Sequence, residues 1–259
     1  MFVPILAYHM VQPNMDLGIT NITPHRFEKQ IRYLHQNGYR TVSLTDLVSD
    51  TGNDDLRGNK LVAITFDDAY QSVFEFAFPI LKKFNFTATI FVISDYVGKC
   101  NGWDYSFLRP GVLHCDWDEL KMLSLSGWEI GSHTANHKSL SSLPNNHVWD
   151  ELTRSKETIE NEMQVPVTVL SYPFGAFDGR VIHLAYKAGY TCACTLGNPL
   201  AERRFSPFAL SRRGVYSIDP FFLFKVKLQN NRLSHLDAQK QRLITFCSKG
   251  TILYHHIFR

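Results

Sequence analysis

The stretch Leu61-Val62-Ala63-Ile64-Thr65-Phe66-Asp67-Asp68-Ala69-Tyr70 decides how the chain is read. Leu61 to Phe66 is a continuous apolar and β-branched run. That is the pattern of a parallel strand buried on both faces, not of a half-exposed antiparallel one. Two adjacent carboxylates follow at once. Like charges side by side repel, and neither is stable in a buried place unless something compensates it. In parallel α/β folds chemistry gathers at the carboxyl ends of strands, which is where Asp67 and Asp68 fall.

The same alternation of strands and helices runs outward in both directions. Phe2 to Tyr8 predicts a strand, and Thr23-Pro24 opens a helix through Asn37 with Thr23 as N-cap. Tyr39 to Val42 and Thr87 to Ile93 read as strands, and Gln71 to Phe84 as a helix with a possible kink at Pro79. Helices are expected over Leu44 to Val48, Asp116 to Ser126, His147 to Met163, Asp178 to Ala188, Asp219 to Leu228 and Leu236 to Cys247. Further strands are expected over Trp128 to Gly131, Val167 to Ser171, Tyr190 to Thr195, Leu210 to Val215 and Thr251 to Tyr254. The total is about eight strands, most followed by a helix, which predicts a parallel sheet, either doubly wound or closed into a barrel. No Pro/Gly/Ser-rich linker divides the chain, so residues 1–259 are expected to form a single domain.

Composition narrows the function classes. At 44% hydrophobic and 20% charged the chain is ordinary globular material. A net charge of +3 is too small for a nucleic-acid surface. No segment reaches the roughly 18 apolar residues of a membrane span. The opening MFVPILAYHMV lacks a basic n-region and an A-x-A-like cleavage site, so the chain as it stands is expected in the cytoplasm. A trimmed form of a periplasmic or extracellular protein would look the same. Cys192 and Cys194 lie two apart, on one face of a strand, and read as small buried hydrophobes. A Cys100–Cys115 disulfide is compatible with the sequence but not required by it.

Other strand ends carry polar residues too. Ser132-His133-Thr134-Ala135-Asn136-His137 follows one strand, Tyr172-Pro173-Phe174-Gly175 another, and Tyr254-His255-His256 the last. Two histidines at i and i+4 share one face of a helical turn and can reach one cation. The spacing is that of HExxH, but Thr134 stands where the Glu would be, so no metalloprotease base is available. A carboxylate from another strand end would complete a His₂Asp set suited to zinc or a similar divalent ion.

Four motifs together, TFDDA (Thr65–Ala69), HTANH (His133–His137), SYPFGAFD (Ser171–Asp178) and ILYH (Ile252–His255), resemble the polysaccharide deacetylases with the NodB-homology domain. They occur in family order over roughly residues 60 to 256, with residues 1–59 as N-terminal strand and helix elements of the same barrel. The opening ILAYHMV also resembles the start of many bacterial members. The resemblance implies a deformed (β/α) barrel of seven or eight parallel strands that hydrolyses N-acetyl or O-acetyl groups on a glycan. N-deacetylation of N-acetylglucosamine polymers or oligomers is the leading expectation.

Carried over by residue, the resemblance makes Asp67 the general base and Asp68, His133 and His137 the ligands of a divalent metal. Zinc is the expected ion, with cobalt or nickel as alternatives. The backbone N–H of Phe174, after Pro173, would face the oxyanion. His255 would protonate the leaving group and Leu253 would line the acetyl pocket. The chain departs from the family at Ser171, where an Arg normally pairs with the base. Arg212 or Arg213, in ALSRRGV, is expected to supply that charge from a neighbouring strand end. The family's Asp-rich motif with a Trp has no counterpart that can be located. His9 ends the first strand and could face the barrel mouth, and Trp103, on a long loop, suits stacking on a sugar. Two rival readings are a metal-binding glycan-binding module without turnover, supported by the missing Arg, and a hydrolase of small cyclic amides or imides.

Overall fold

The structure, a computed structural model, describes residues 2–13, 19–49, 60–100, 111–196 and 206–230, with Leu233, Asp237, Gln239, Lys240 and Ile244. The expected strand Thr251 to Tyr254 and most of the expected helix Leu236 to Cys247 lie outside these residues. In chain order the strands are β1 (Ile5–Tyr8), β2 (Met10–Val11), β3 (Asn21–Ile22), β4 (Tyr39–Thr41), β5 (Lys60–Phe66), β6 (Thr89–Val92), β7 (Glu129–Ser132), β8 (Val169–Ser171), β9 (Cys192–Leu196) and β10 (Leu210–Gly214). The helices are α1 (Pro24–Gln36), α2 (Leu44–Val48), α3 (Phe78–Lys83), α4 (Trp117–Leu125), α5 (Asn145–Met163), α6 (Gly179–Lys187) and α7 (Phe221–Lys227). Side-chain caps start several of them. Thr23 accepts from Arg26 N, Asp116 and Glu119 form a reciprocal capping box, and Asp178 accepts from Val181 N.

Every residue of β5 after Lys60 is buried, because the strand is paired on both edges. Ile64 lies opposite Leu6 of β1, and Thr65 opposite Thr89 of β6. From β6 the parallel pairing runs through β7, β8 and β9 to β10. β10 then pairs with β1, Arg213 opposite Leu6. The sheet is therefore a closed parallel barrel of seven strands (β1, β5 to β10), and the doubly wound alternative is set aside. β4 pairs with the first residues of β5, outside the ring.

Closure sorts each strand by its period of two. Leu6, Tyr8, Ile64, Phe66, Ile90, Ile130 and Leu170 face outward and pack with Phe27, Ile31 and Leu34 of α1 and with α4, α5 and α6. Ile5, Ala63, Phe91, Val169, Cys192, Cys194 and Leu210 form a second, inner cluster. Both β9 thiols are therefore buried core atoms. The interior is tight enough to dictate Gly131. A Cβ there would lie 2.6 Å from Phe91 Cδ1 and 2.8 Å from Val169 Cγ2. Its role is thus interior clearance.

One local expectation is corrected, and one open possibility is closed. The predicted helix Gln71 to Phe84 begins as a π-helical turn over Val73–Ala77, in which Phe78 N–H reaches back to Val73 O, and only then continues as α3. Pro79 has no N–H to give and its ring crowds the preceding turn, and a wider turn relieves both. Cys100 and Cys115 are free thiols, and Cys115 Sγ instead donates to Tyr70 O.

Candidate active site

The inward half of each strand's alternation continues past the carboxyl end of the barrel. Ile5 and Ala7 lead to His9, and Ala63 and Thr65 lead to Asp67. Gly131 leads to His133, Val169 to Ser171, and Leu210 to Arg212. Five polar side chains are thereby aimed at one place by strand geometry alone.

Asp67 and Arg212 are the centre of that place, 4% and 2% exposed. The guanidinium grips the carboxylate with both nitrogens, Nη1 to Oδ1 and Nη2 to Oδ2, each at 2.7 Å. Its other donors reach Thr65 Oγ1 at 3.1 Å and Ser171 Oγ at 2.8 Å, and Phe91 lies under it at 5.3 Å. Thr65 Oγ1 in turn donates to Leu6 O. A buried pair is tolerable only with such geometry and with further hydrogen bonds to its charged groups. Burial by itself would raise the Asp67 carboxyl. Arg212, with His133 and His9, outweighs that and holds it well below the usual carboxylate range. Ser171 thus stands where a cation was expected and accepts a hydrogen bond from one. Arg213, the next residue, faces outward and donates to Val226, Lys227 and Gln229 carbonyls at the end of α7. It does not join the site.

Asp68 points to a different cluster. Its Oδ1 lies 3.5 Å from both His133 Nε2 and His137 Nε2, and the three donor atoms fall within 4.8 Å of one another. His133 Nδ1 lies 2.8 Å from Ser171 O, a pure acceptor, so Nδ1 carries the proton and Nε2 presents a lone pair. Burial lowers His133 to about 4 and His137 well below its ordinary value, keeping both imidazoles neutral. One carboxylate and two neutral imidazoles in such a cluster fit a divalent ion of the zinc type.

His133 and His137 do not lie on a helical turn, contrary to the i, i+4 reading. They occupy a loop in which Thr134 and His137 adopt left-handed φ of 68° and 56°. Polar contacts hold it there. Ser132 Oγ accepts from Thr134 N, and Thr134 Oγ1 accepts from His137 N. Glu151 on α5 accepts from both the backbone and the side-chain nitrogen of Asn136, and Ser155 bonds Ser132. Glu151 and Ser155 were not singled out in the sequence. Their signal is two polar residues within the buried stripe Val148, Leu152, Ile159 and Met163.

Of the remaining candidates, Phe174 has φ of 58° in the turn after Pro173, and its ring lies 4.7 Å from that of His137. His9 Nε2 lies 4.0 Å from Asp67 Oδ2. His114, absent from the sequence reading, places Nδ1 2.6 Å from Asp68 O, and burial lowers it to about 4. His255, Leu253 and Trp103 lie outside the described residues.

A parallel barrel that carries a His₂Asp set and a clamped second carboxylate at its strand ends defines the class of protein, and comparison with known proteins narrows it. The polysaccharide deacetylase family model matches residues 55–193. The chain is 30% identical over 209 residues to YxkH of Bacillus subtilis (strain 168), which is provisionally named a polysaccharide deacetylase. That match spans 81% of this chain and 70% of YxkH. It is 23% identical over 227 residues to poly-β-1,6-N-acetyl-D-glucosamine N-deacetylase of Staphylococcus aureus (strain MSSA476), covering 83% of this chain and 70% of that one. Streptococcus pyogenes deacetylase PplD, solved in complex with acetate, shares the fold with a TM-score of 0.73 at 22% identity, over 88% of this chain and 98% of that chain. The chain belongs to the polysaccharide deacetylase family, whose members act on acetyl groups.

Proposed function

We propose that the protein removes N-acetyl groups from N-acetylglucosamine units of a polysaccharide or oligosaccharide, with a divalent cation held by Asp68, His133 and His137. The observation that carries this reading is the division of labour between adjacent carboxylates. Asp68 faces two neutral imidazoles, and Asp67 is clamped as an anion by Arg212. Similarity to the Staphylococcus aureus N-deacetylase directs the substrate toward N-acetylglucosamine polymers.

A cation in this donor set would polarise the acetyl carbonyl and acidify a water. The chain's own residues supply the rest. Asp67 takes a proton from the water that adds to the carbonyl carbon. The N–H of Phe174 donates to the oxygen on which charge develops. As the C–N bond breaks, the amine nitrogen needs a proton. That role is assigned to His255; among the described histidines His9 lies beside the base, its Nε2 4.0 Å from Asp67 Oδ2. Arg212 keeps Asp67 ionised and oriented.

The test is acetate release from N-acetylglucosamine oligomers of β-1,6 and β-1,4 linkage in the presence of zinc or cobalt. Release that stops on chelation and in Asp67→Asn is the expected result. Bound cation with no acetate from either oligomer would overturn the proposal.

A further inference from the structure

Asp68 and Ala69 are consecutive non-glycine residues in the left-handed region, with φ of 68° and 50°. A Cβ makes that conformation costly, so a single such residue is uncommon and two in a row require external support. The support comes from the segment that leads into α4. Gln71 N donates to Leu113 O at 2.9 Å, and Cys115 N donates to Ala69 O at 2.8 Å. Tyr70 and His114 face each other across this short antiparallel bridge. These backbone bonds fix Ala69 and Gln71. Asp68 is reached by a side chain, His114, whose Nδ1 lies 2.6 Å from the Asp68 carbonyl. A carbonyl can only accept, so His114 Nδ1 carries a proton. The ring is 2% exposed and lies against Tyr70 at 4.9 Å and Tyr96 at 5.8 Å.

The Asp68 carbonyl shares its peptide plane with Ala69 N, so holding that oxygen fixes ψ of Asp68. It thereby fixes the direction of the Asp68 side chain relative to the turn. We infer that His114 is a positioning residue: its Nδ1–H locks the left-handed Asp68 backbone and so aims the Asp68 carboxylate at His133 and His137. This rests on the cation-binding reading of the site, but the hydrogen bond itself belongs to the metal-free chain. A partner that orients a ligand in this way typically changes metal affinity by about 10- to 100-fold when lost.

The experiment compares His114→Phe, which keeps the ring shape and removes the donor, with His114→Asn, whose amide nitrogen can take the place of Nδ1. Cobalt affinity and the visible spectrum of the cobalt form are measured for both. ¹⁵N NMR of the metal-free wild-type protein reports the His114 tautomer. The expected result is a protonated Nδ1, cobalt affinity about 10- to 100-fold weaker with an altered spectrum in His114→Phe, and substantial recovery of both in His114→Asn. Wild-type affinity and spectrum in His114→Phe would overturn the inference. So would an Asn variant as impaired as the Phe variant, an Nε2-protonated tautomer, or a wild-type protein that binds no divalent cation. If His114→Phe does not fold, the tautomer and the Asn variant decide. Weak cobalt binding in the Phe variant, with no acetate release by the wild-type protein, would support His114 and overturn the deacetylation reading alone.

Discussion

The site has two halves that are built by different means. His9, Asp67, Ser171 and Arg212 continue the inward alternation of β1, β5, β8 and β10, so the barrel itself aims them. Asp68, His137 and Phe174 stand on left-handed loop residues, and their directions depend on polar contacts brought from elsewhere. The strand-borne half holds the charged pair, where position is rigid and desolvation is deep. The loop-borne half holds most of the candidate cation ligands, on turns braced by contacts that include those of His114 and Glu151. Damage to the first half should therefore appear as lost stability and lost turnover. Damage to the second should appear first in cation affinity.

The largest effect is expected from Arg212→Ala. It strands a buried carboxylate, so urea unfolding should show a loss of about 3–5 kcal/mol together with loss of acetate release. Arg213→Ala, one residue on and facing α7, should keep turnover; equal damage from both would erase the distinction between the faces of β10. Next comes Asp67→Asn. Turnover should fall by about 10²- to 10⁴-fold while cobalt binding survives. Asp68→Asn should instead lose cobalt binding, and indistinguishable variants would mean that the two carboxylates share one role.

A smaller effect is expected from Glu151→Gln, which weakens the brace on Asn136 without touching a ligand. Cobalt affinity, read by titration, should drop by about 10-fold, and an unchanged affinity would show that the loop holds its shape unaided. The broadest effect, spread over several groups, is that of pH on the metal-free protein. His114 and His133 are lowered to about 4 by burial, and His137 also lies well below its ordinary value. Between about 6.5 and 4 the unfolded chain then binds more protons than the folded one, so stability rises with pH. The contribution is fully present above about 6.5 and is lost as the pH falls toward 4. A melting temperature that stays flat across that window would contradict it.

Much of this was legible in the sequence, for a local reason. The apolar run before Asp67, the caps at Thr23, Asp116 and Asp178, and the strand–helix alternation all depend on near neighbours. They survive as β5, α1, α4 and α6 within a residue or two. The helical reading of HTANH failed because Thr134 and His137 take local side-chain contacts in place of helical bonds, and Asn136 and Ser132 are held by Glu151 and Ser155 on an element that the motif does not contain. His114 was overlooked for the same reason. Its partner is a backbone carbonyl 46 residues earlier, and a lone histidine in a loop carries no periodic signal.

The sequence by itself determined that strand ends would carry Asp67 and, from a neighbouring strand, Arg212 or Arg213, since a period of two sends neighbours to opposite faces without saying which face is inner. What only the tertiary structure decided is that these faces meet. In the closed ring β10 sits between β1 and β9, two strands from β5 on one side and two from β8 on the other. One guanidinium can therefore span the interior from Asp67 to Ser171. The same strands left open between β1 and β5 would put the carboxylate and the arginine toward opposite edges, each without its counter-charge.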